Sequence, residues 1–384
     1  MRWTGNVLIV LSVGAALLLA EWVLRAIGIG GTVFHRPDST YGMALIPGAN
    51  GVFAAEGRAQ VSINSDGMRD AAHARAKPRG TFRIALLGDS YAEALQVPRD
   101  STFWAVLGAN LVDCDALAHR PIEVLNFGVS GYSTTQEYLL LRQRVWEFDP
   151  DAVLVAFVTG NDVADNSPSL SASPRPYFRF HGDSLVLDSS RARAAGIGAV
   201  TLHWLVRHSR LLQVGNQLRL NLAMCGKAAA CGEDLDAAKG ERGLRNAVYH
   251  EPRDEGWRDA WRVTEALITK IRDEAAAHHV SIFLVTLSNG IQVHPDLGVR
   301  EQFRTAMGGP DLFYADNRIA ALAQREGIAS LALAPVLAAQ AEQRHIYFHG
   351  WPGPNLGKGH WNVDGHRAAG TTIAPFMCQA LRDR

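Results

Sequence analysis

The chain has 384 residues, enough for one large domain or two ordinary ones with a sizeable buried core. Its 38 basic and 38 acidic side chains cancel. No Lys/Arg-rich block upsets that balance, so the broad positive surface of a nucleic-acid binder is excluded.

The first predicted element is a membrane helix. No residue from Trp3 to Ala20 is charged, and the apolar run extends through Trp22-Val23-Leu24, reaching the roughly 20 residues that cross a bilayer. The run is apolar on all faces, unlike an amphipathic core helix. Glu21 and Arg25 are spaced to pair near one interface, and Trp3 and Trp22 fall at the two membrane surfaces. Cleavage after Ala20 would put Leu18 where a small residue is wanted, so the segment reads as an uncleaved single-pass signal-anchor. Arg2 and Arg25 lie on opposite sides, so charge leaves orientation open. Cys225 and Cys231 flank a short loop suited to a disulfide in an oxidising compartment. The body is therefore expected to be periplasmic or otherwise extracytoplasmic. How these two cysteines, Cys114 and Cys378 pair is left open.

Residues 28–80 are rich in Gly, Pro, Asp and Asn and predict an irregular lead-in with one short strand at Gln60–Ile63. From Thr81 the pattern changes. Short apolar runs predict buried strands at Arg83–Leu87, Glu123–Phe127, Ala152–Val158, Ser281–Thr286 and Gly327–Leu331. Helical stretches are expected at Thr102–Leu111, Thr135–Phe148, Trp257–His278, Asn317–Glu326 and Asp364–Leu381. This alternation predicts an α/β/α sandwich with a parallel sheet of about five strands. Residues 167–254, with a helix near Thr201–Leu220, read as an insertion within a domain spanning 81–384. Residues 1–27 form the anchor.

In such a sheet the ligand site lies beyond the carboxyl ends of the strands. The first strand ends in Gly88-Asp89-Ser90-Tyr91, the second in Gly128-Val129-Ser130-Gly131, and the third in Thr159-Gly160-Asn161-Asp162. Gly359-His360-Trp361-Asn362 stands just before the last helix. Together these supply a nucleophile, an imidazole base and donors for an oxyanion. Each piece alone is an ordinary turn or a structural histidine.

In order and position these blocks resemble the SGNH/GDSL hydrolases, over about Thr81 to the C-terminus. The resemblance implies Ser90 as nucleophile, His360 as base, and an oxyanion hole made by the amides of Ser90 and Gly131 with the Asn161 side chain. It implies no cofactor. The stretch Ile63-Asn64-Ser65-Asp66-Gly67-Met68-Arg69-Asp70 is similar to one preceding this block in anchored bacterial members, and carries no assigned chemistry. Asp364-Gly365-His366 offers a rival base, but His366 falls inside the helix, whereas His360 lies in the loop before it. The family's triad aspartate belongs two or three residues before the histidine, where this chain has Gly357 and Lys358. Three readings follow: a Ser–His dyad held by a backbone carbonyl, an acid from elsewhere such as Asp364, or reduced activity.

Ala92 replaces the closing Gly of an α/β-hydrolase elbow, and no phosphate-cradling Gly-rich loop is present. His345 and His349 lack a metal motif, so no metal is expected. The expected activity is hydrolysis of a small-molecule or polysaccharide ester, with attachment to the membrane through the first helix. The alternatives are an O-acyltransferase of the same fold and a non-catalytic envelope scaffold.

Overall fold

The computed structural model describes residues 2–171, 173–193, 197–216, 218–219 and 244–383. Its first element, α1 (Arg2–Ala26), contains a span from Asn6 to Ala26 long and apolar enough to cross a membrane, with none of it buried among the described residues.

The lead-in is more ordered than its composition predicts. It forms two antiparallel hairpins, β1 (His35–Asp38) with β2 (Gly42–Leu45), and β3 (Asn50–Phe53) with β4 (Ala59–Ser62). The stretch Asn64–Asp70 fastens them to the sheet. Asn64 Oδ1 accepts from the amides of Asp66 and Met68, closing the turn. The buried Arg69 guanidinium donates to the Glu93 and Val97 carbonyls, and Asp70 Oδ2 accepts from the Asn126 amide. A motif without assigned chemistry is thus a rivet between the lead-in and the ends of two strands.

Five parallel strands follow: β5 (Phe82–Gly88), β6 (Ile122–Asn126), β7 (Ala152–Val158), then β8 and β9 as a separate hairpin (Tyr177–His181 and Ser184–Asp188), β10 (Ser281–Leu287) and β11 (Ala329–Ala332). The main sheet runs β11-β10-β7-β5-β6 with every pairing parallel. Every residue of β5 and β7 is buried, which is why both read as unbroken apolar runs rather than alternating ones.

Helices cover both faces. Val153, Val155 and Phe157 of β7 share a core with α4 (Thr134–Gln143) and the long helix Glu255–Ala277. Leu154 and Ala156 share the opposite core with α3 (Phe103–Leu111) and the C-terminal helix Val363–Arg382. The predicted helix at Thr135–Phe148 is shorter than expected: it stops at Gln143, and Arg144 leaves helical geometry before a tight turn at Val145–Phe148. Helices at Leu297–Ala306 and Leu333–Arg344 were not anticipated; the second starts directly where β11 ends, so the sequence shows no loop between them. Two short helices, α5 (Asp162–Asp165) and α6 (Ser190–Arg193), precede α7 (Ile197–His208), and a further helical segment covers 210–216.

Cys114 and Cys378 form a disulfide joining the turn after α3 to the C-terminal helix across 264 residues. Cys225 and Cys231 lie outside the described residues. Replacing Cys114 and Cys378 with Ser should cost about 2–4 kcal/mol, because a long loop is no longer closed in the unfolded chain. Denaturant unfolding of the detergent-solubilised protein measures this; an unchanged midpoint would show the bridge to be dispensable.

Candidate active site

The turn that presents Ser90 is built by its neighbour. β5 ends at Gly88, where a Cβ would come 2.9 Å from that of Ala92. Asp89 then caps the short helix α2 (Ser90–Glu93), its Oδ1 accepting from the Tyr91 amide at 2.9 Å. This exposes Ser90 at the first helical position, above the sheet edge.

His360 reaches it from the other end of the sequence. Ser90 Oγ donates to His360 Nε2 at 2.8 Å. Behind the ring, His360 Nδ1–H donates to Glu56 Oε2 at 2.5 Å, and the His360 backbone amide donates to Glu56 Oε1 at 2.8 Å. Both Glu56 oxygens therefore hold one residue. Burial raises the affinity of Glu56 for its proton, but its bonds and charge interaction with His360 prevail and hold the carboxyl below its ordinary range. His360 and Glu56 keep 30% and 25% of their side-chain exposure, which leaves an approach for substrate.

One glycine makes room for this carboxylate, and a second lets the turn that carries it pack against Trp351. At Gly359, with φ +77°, a Cβ would meet Glu56 Oε1. At Gly57, with φ +65°, it would stand 2.6 Å from the Trp351 ring. The histidine loop is steadied from below by Tyr91 Oη and His349 Nδ1, which donate to the Gly359 carbonyl at 3.1 and 2.7 Å. His349 accepts from Ser288 through Nε2. Burial pushes its pKa down to about 4, so it is a neutral strut with both ring nitrogens engaged.

Asp364 is not brought to this ring. It sits in the first turn of the C-terminal helix and pairs with Arg367 at 3.0 Å on the surface. His366 is buried in that helix, and its Nδ1 accepts from the Phe103 amide. The acid facing the base is Glu56, which no sequence motif singles out. It lies 304 positions from His360, in a hairpin turn; the one local cue is a lone acid between Ala54-Ala55 and Gly57.

Gly131 has φ +79°, a left-handed conformation suited to glycine, and its carbonyl accepts from Arg175 at 2.7 Å. The preceding amide, Ser130 N–H, donates to the buried carboxylate of Glu93, which also pairs with His35 of β1 at 2.8 Å. The lead-in therefore braces the Gly131 loop as well as the base. Asn161 Nδ2 donates to Asp89 Oδ2 at 3.0 Å, which fixes the amide beside Ser90 and leaves its second N–H for another acceptor. Among the described residues, no group of three or more His, Cys, Asp or Glu side chains is arranged to hold a metal.

Beneath this floor lie the buried carboxyls of Asp89, Glu137 and Asp162. Burial, and the charge of Asp89 nearby, push the Glu137 pKa up to about 8. Neither Glu137 oxygen has a hydrogen-bond partner among the described residues, as suits a carboxyl kept neutral. A raised acid stabilises the fold fully below its ordinary pKa and loses that contribution as pH rises through about 8. The thermal midpoint of Glu137→Gln relative to wild type should accordingly rise as pH climbs through this window. A pH-independent difference would mean that Glu137 titrates in the native state as it does in the unfolded chain.

No protein-family model matches the chain, and no curated protein matches it. Among solved structures, it is similar to an acetyl xylan esterase at 13% identity and a TM-score of 0.38, covering 78% of this chain and 99% of that one. A catalytic mutant of an acetylxylan esterase from Geobacillus stearothermophilus matches at 13% identity and a TM-score of 0.39, covering 78% and 94%. A protein assigned to the lipolytic G-D-S-L family from Desulfitobacterium hafniense DCB-2 matches at 13% identity and a TM-score of 0.36, covering 77% and 98%. The chemistry of this chain rests on its own side chains.

Proposed function

We propose that the protein is a serine esterase of the SGNH type, working by acyl transfer through Ser90, His360 and Glu56. The observation that carries this reading is the unbroken chain from Ser90 Oγ to His360 Nε2 and from His360 Nδ1 to Glu56. Ser90 attacks the ester carbonyl while His360 takes its proton, and Glu56 stabilises the imidazolium that forms. The amides of Ser90 and Gly131 and the Asn161 side chain hold the oxyanion. His360 then protonates the departing alcohol, and water activated by the same imidazole releases the acid. An acid behind the base favours a working enzyme over a non-catalytic scaffold. Transfer of the acyl group to a sugar hydroxyl in place of water uses the same intermediate.

The Cys114–Cys378 disulfide supports an oxidising compartment. With α1 as anchor, the catalytic body then faces away from the cytoplasm, and esters of envelope polysaccharide are the substrate class within its reach.

The test is covalent. A fluorophosphonate probe should label the full-length protein on Ser90 and fail to label Ser90→Ala. A wild type that resists labelling would sink the esterase reading and favour the scaffold.

A further inference from the structure

We infer that the outer face of α7, the helix Ile197–His208, together with the helical segment 210–216, is a second membrane contact, lying in the headgroup region beside the point where α1 leaves the bilayer. Its ligand is the lipid surface. The inference rests on α1 being a membrane span.

Depth is set by hydrogen bonds to the end of α1. Glu21 accepts from the amides of Arg210 and Leu211 at 2.9 and 3.0 Å and from Ser209 Oγ at 3.0 Å. Arg25 donates to the His208 carbonyl at 2.7 Å. Just beyond the helix, the Gly31 amide donates to Gln213 at 3.0 Å. About 20 residues at 1.5 Å per residue span the hydrocarbon, and from Asn6 they reach Arg25. Residues 208–211 are thereby held at the level of the last turns of the span, where acyl chain gives way to headgroup.

What α7 presents there is apolar. Leu202, Trp204 and Leu205 are 43%, 57% and 41% exposed, and Leu212 of the next segment is 41% exposed. Val206 and His203 turn the other way and are half-buried, on the side that packs against β1. Trp22 and Ile27 of the α1 end are 66% and 62% exposed. Arg207 flanks this face at the end of α7. An exposed indole with leucines on one side and a basic residue beside them is the composition of a helix lying at a membrane interface. A water-exposed face of this kind at headgroup depth would leave Trp204 in the one layer that indole prefers to enter. Because α7 packs on β1, which carries His35, the contact would fix the catalytic body relative to the lipid surface.

The test uses the full-length protein reconstituted in phosphatidylcholine/phosphatidylglycerol vesicles, with or without lipids brominated near the headgroup end of the acyl chain. Trp204→Phe and Trp22→Phe are conservative, and each difference from wild type isolates the emission of one indole. The bromolipid should quench the Trp204 contribution by about half or more, close to its effect on Trp22. Quenching of Trp22 with none of Trp204 would leave the anchor standing and overturn the second contact, as would protection of Trp204 by a second copy of the chain. Quenching of neither would overturn the span and this inference together.

Discussion

Glu56→Gln should lower kcat for a soluble nitrophenyl ester by ~10³–10⁴, with KM little changed. The amide keeps the size of the carboxyl but not its charge, so the imidazolium formed as Ser90 loses its proton is no longer stabilised. It can also present N–H to His360 Nδ1, which selects the tautomer whose Nε2 already carries a proton and cannot accept another. Glu56 contacts the His360 backbone as well as the ring, so part of the loss reflects a displaced loop. Circular dichroism and an unchanged thermal midpoint separate that from unfolding. Asp364→Asn is the control, and its rate should equal that of wild type, since Asp364 bonds Arg367 and not the base. A Glu56→Gln rate within about tenfold of wild type would return Glu56 to the status of a surface carboxylate with a small electrostatic role.

The largest loss belongs to Ser90→Ala, on the order of 10⁶ in kcat, down to the residual contribution of the oxyanion donors. Its diagnostic value lies in the double variant. Glu56 acts only through His360, and every step that His360 serves runs through the acyl intermediate on Ser90. Adding Glu56→Gln to Ser90→Ala should therefore slow the reaction no further. If the two losses multiplied instead, Glu56 would have a role independent of the nucleophile, and the relay read from the distances would be wrong. Rates of the four proteins measured under one condition decide it.

Much of the fold was legible because buried parallel strands announce themselves as short apolar runs. The expected Ala152–Val158 is the observed strand, and the others agree to within about two residues at most ends. The polar clusters after those strands were legible for the same reason: a strand end followed by Gly-Asp-Ser or Gly-Asn-Asp has few other places to go. The lead-in was legible only in part: the expected strand at Gln60–Ile63 is β4, one residue earlier, whereas β1, β2 and β3 are four-residue strands with at most one buried residue each, too short to show a period. Their order comes from docking: Leu45, Val61 and Met68 enter the core on one face of the sheet, and Arg69 and Asp70 bond carbonyls and amides far away in sequence.

The site divides along the same line. Local sequence alone placed Ser90, Gly131, Asn161 and His360 at the ends of their elements, because turn chemistry and strand periodicity act over a few residues. The gap at Gly357 and Lys358 is visible only through the resemblance to the SGNH/GDSL hydrolases, which implies an acid there. Only the tertiary structure supplied Glu56, from a hairpin 304 residues away. Only there does the constraint on Gly359 become visible, as the space that a carboxylate oxygen fills. A carboxylate needs to be near an imidazole in space and has no reason to be near it in the chain, so the partner of His360 was decided by packing.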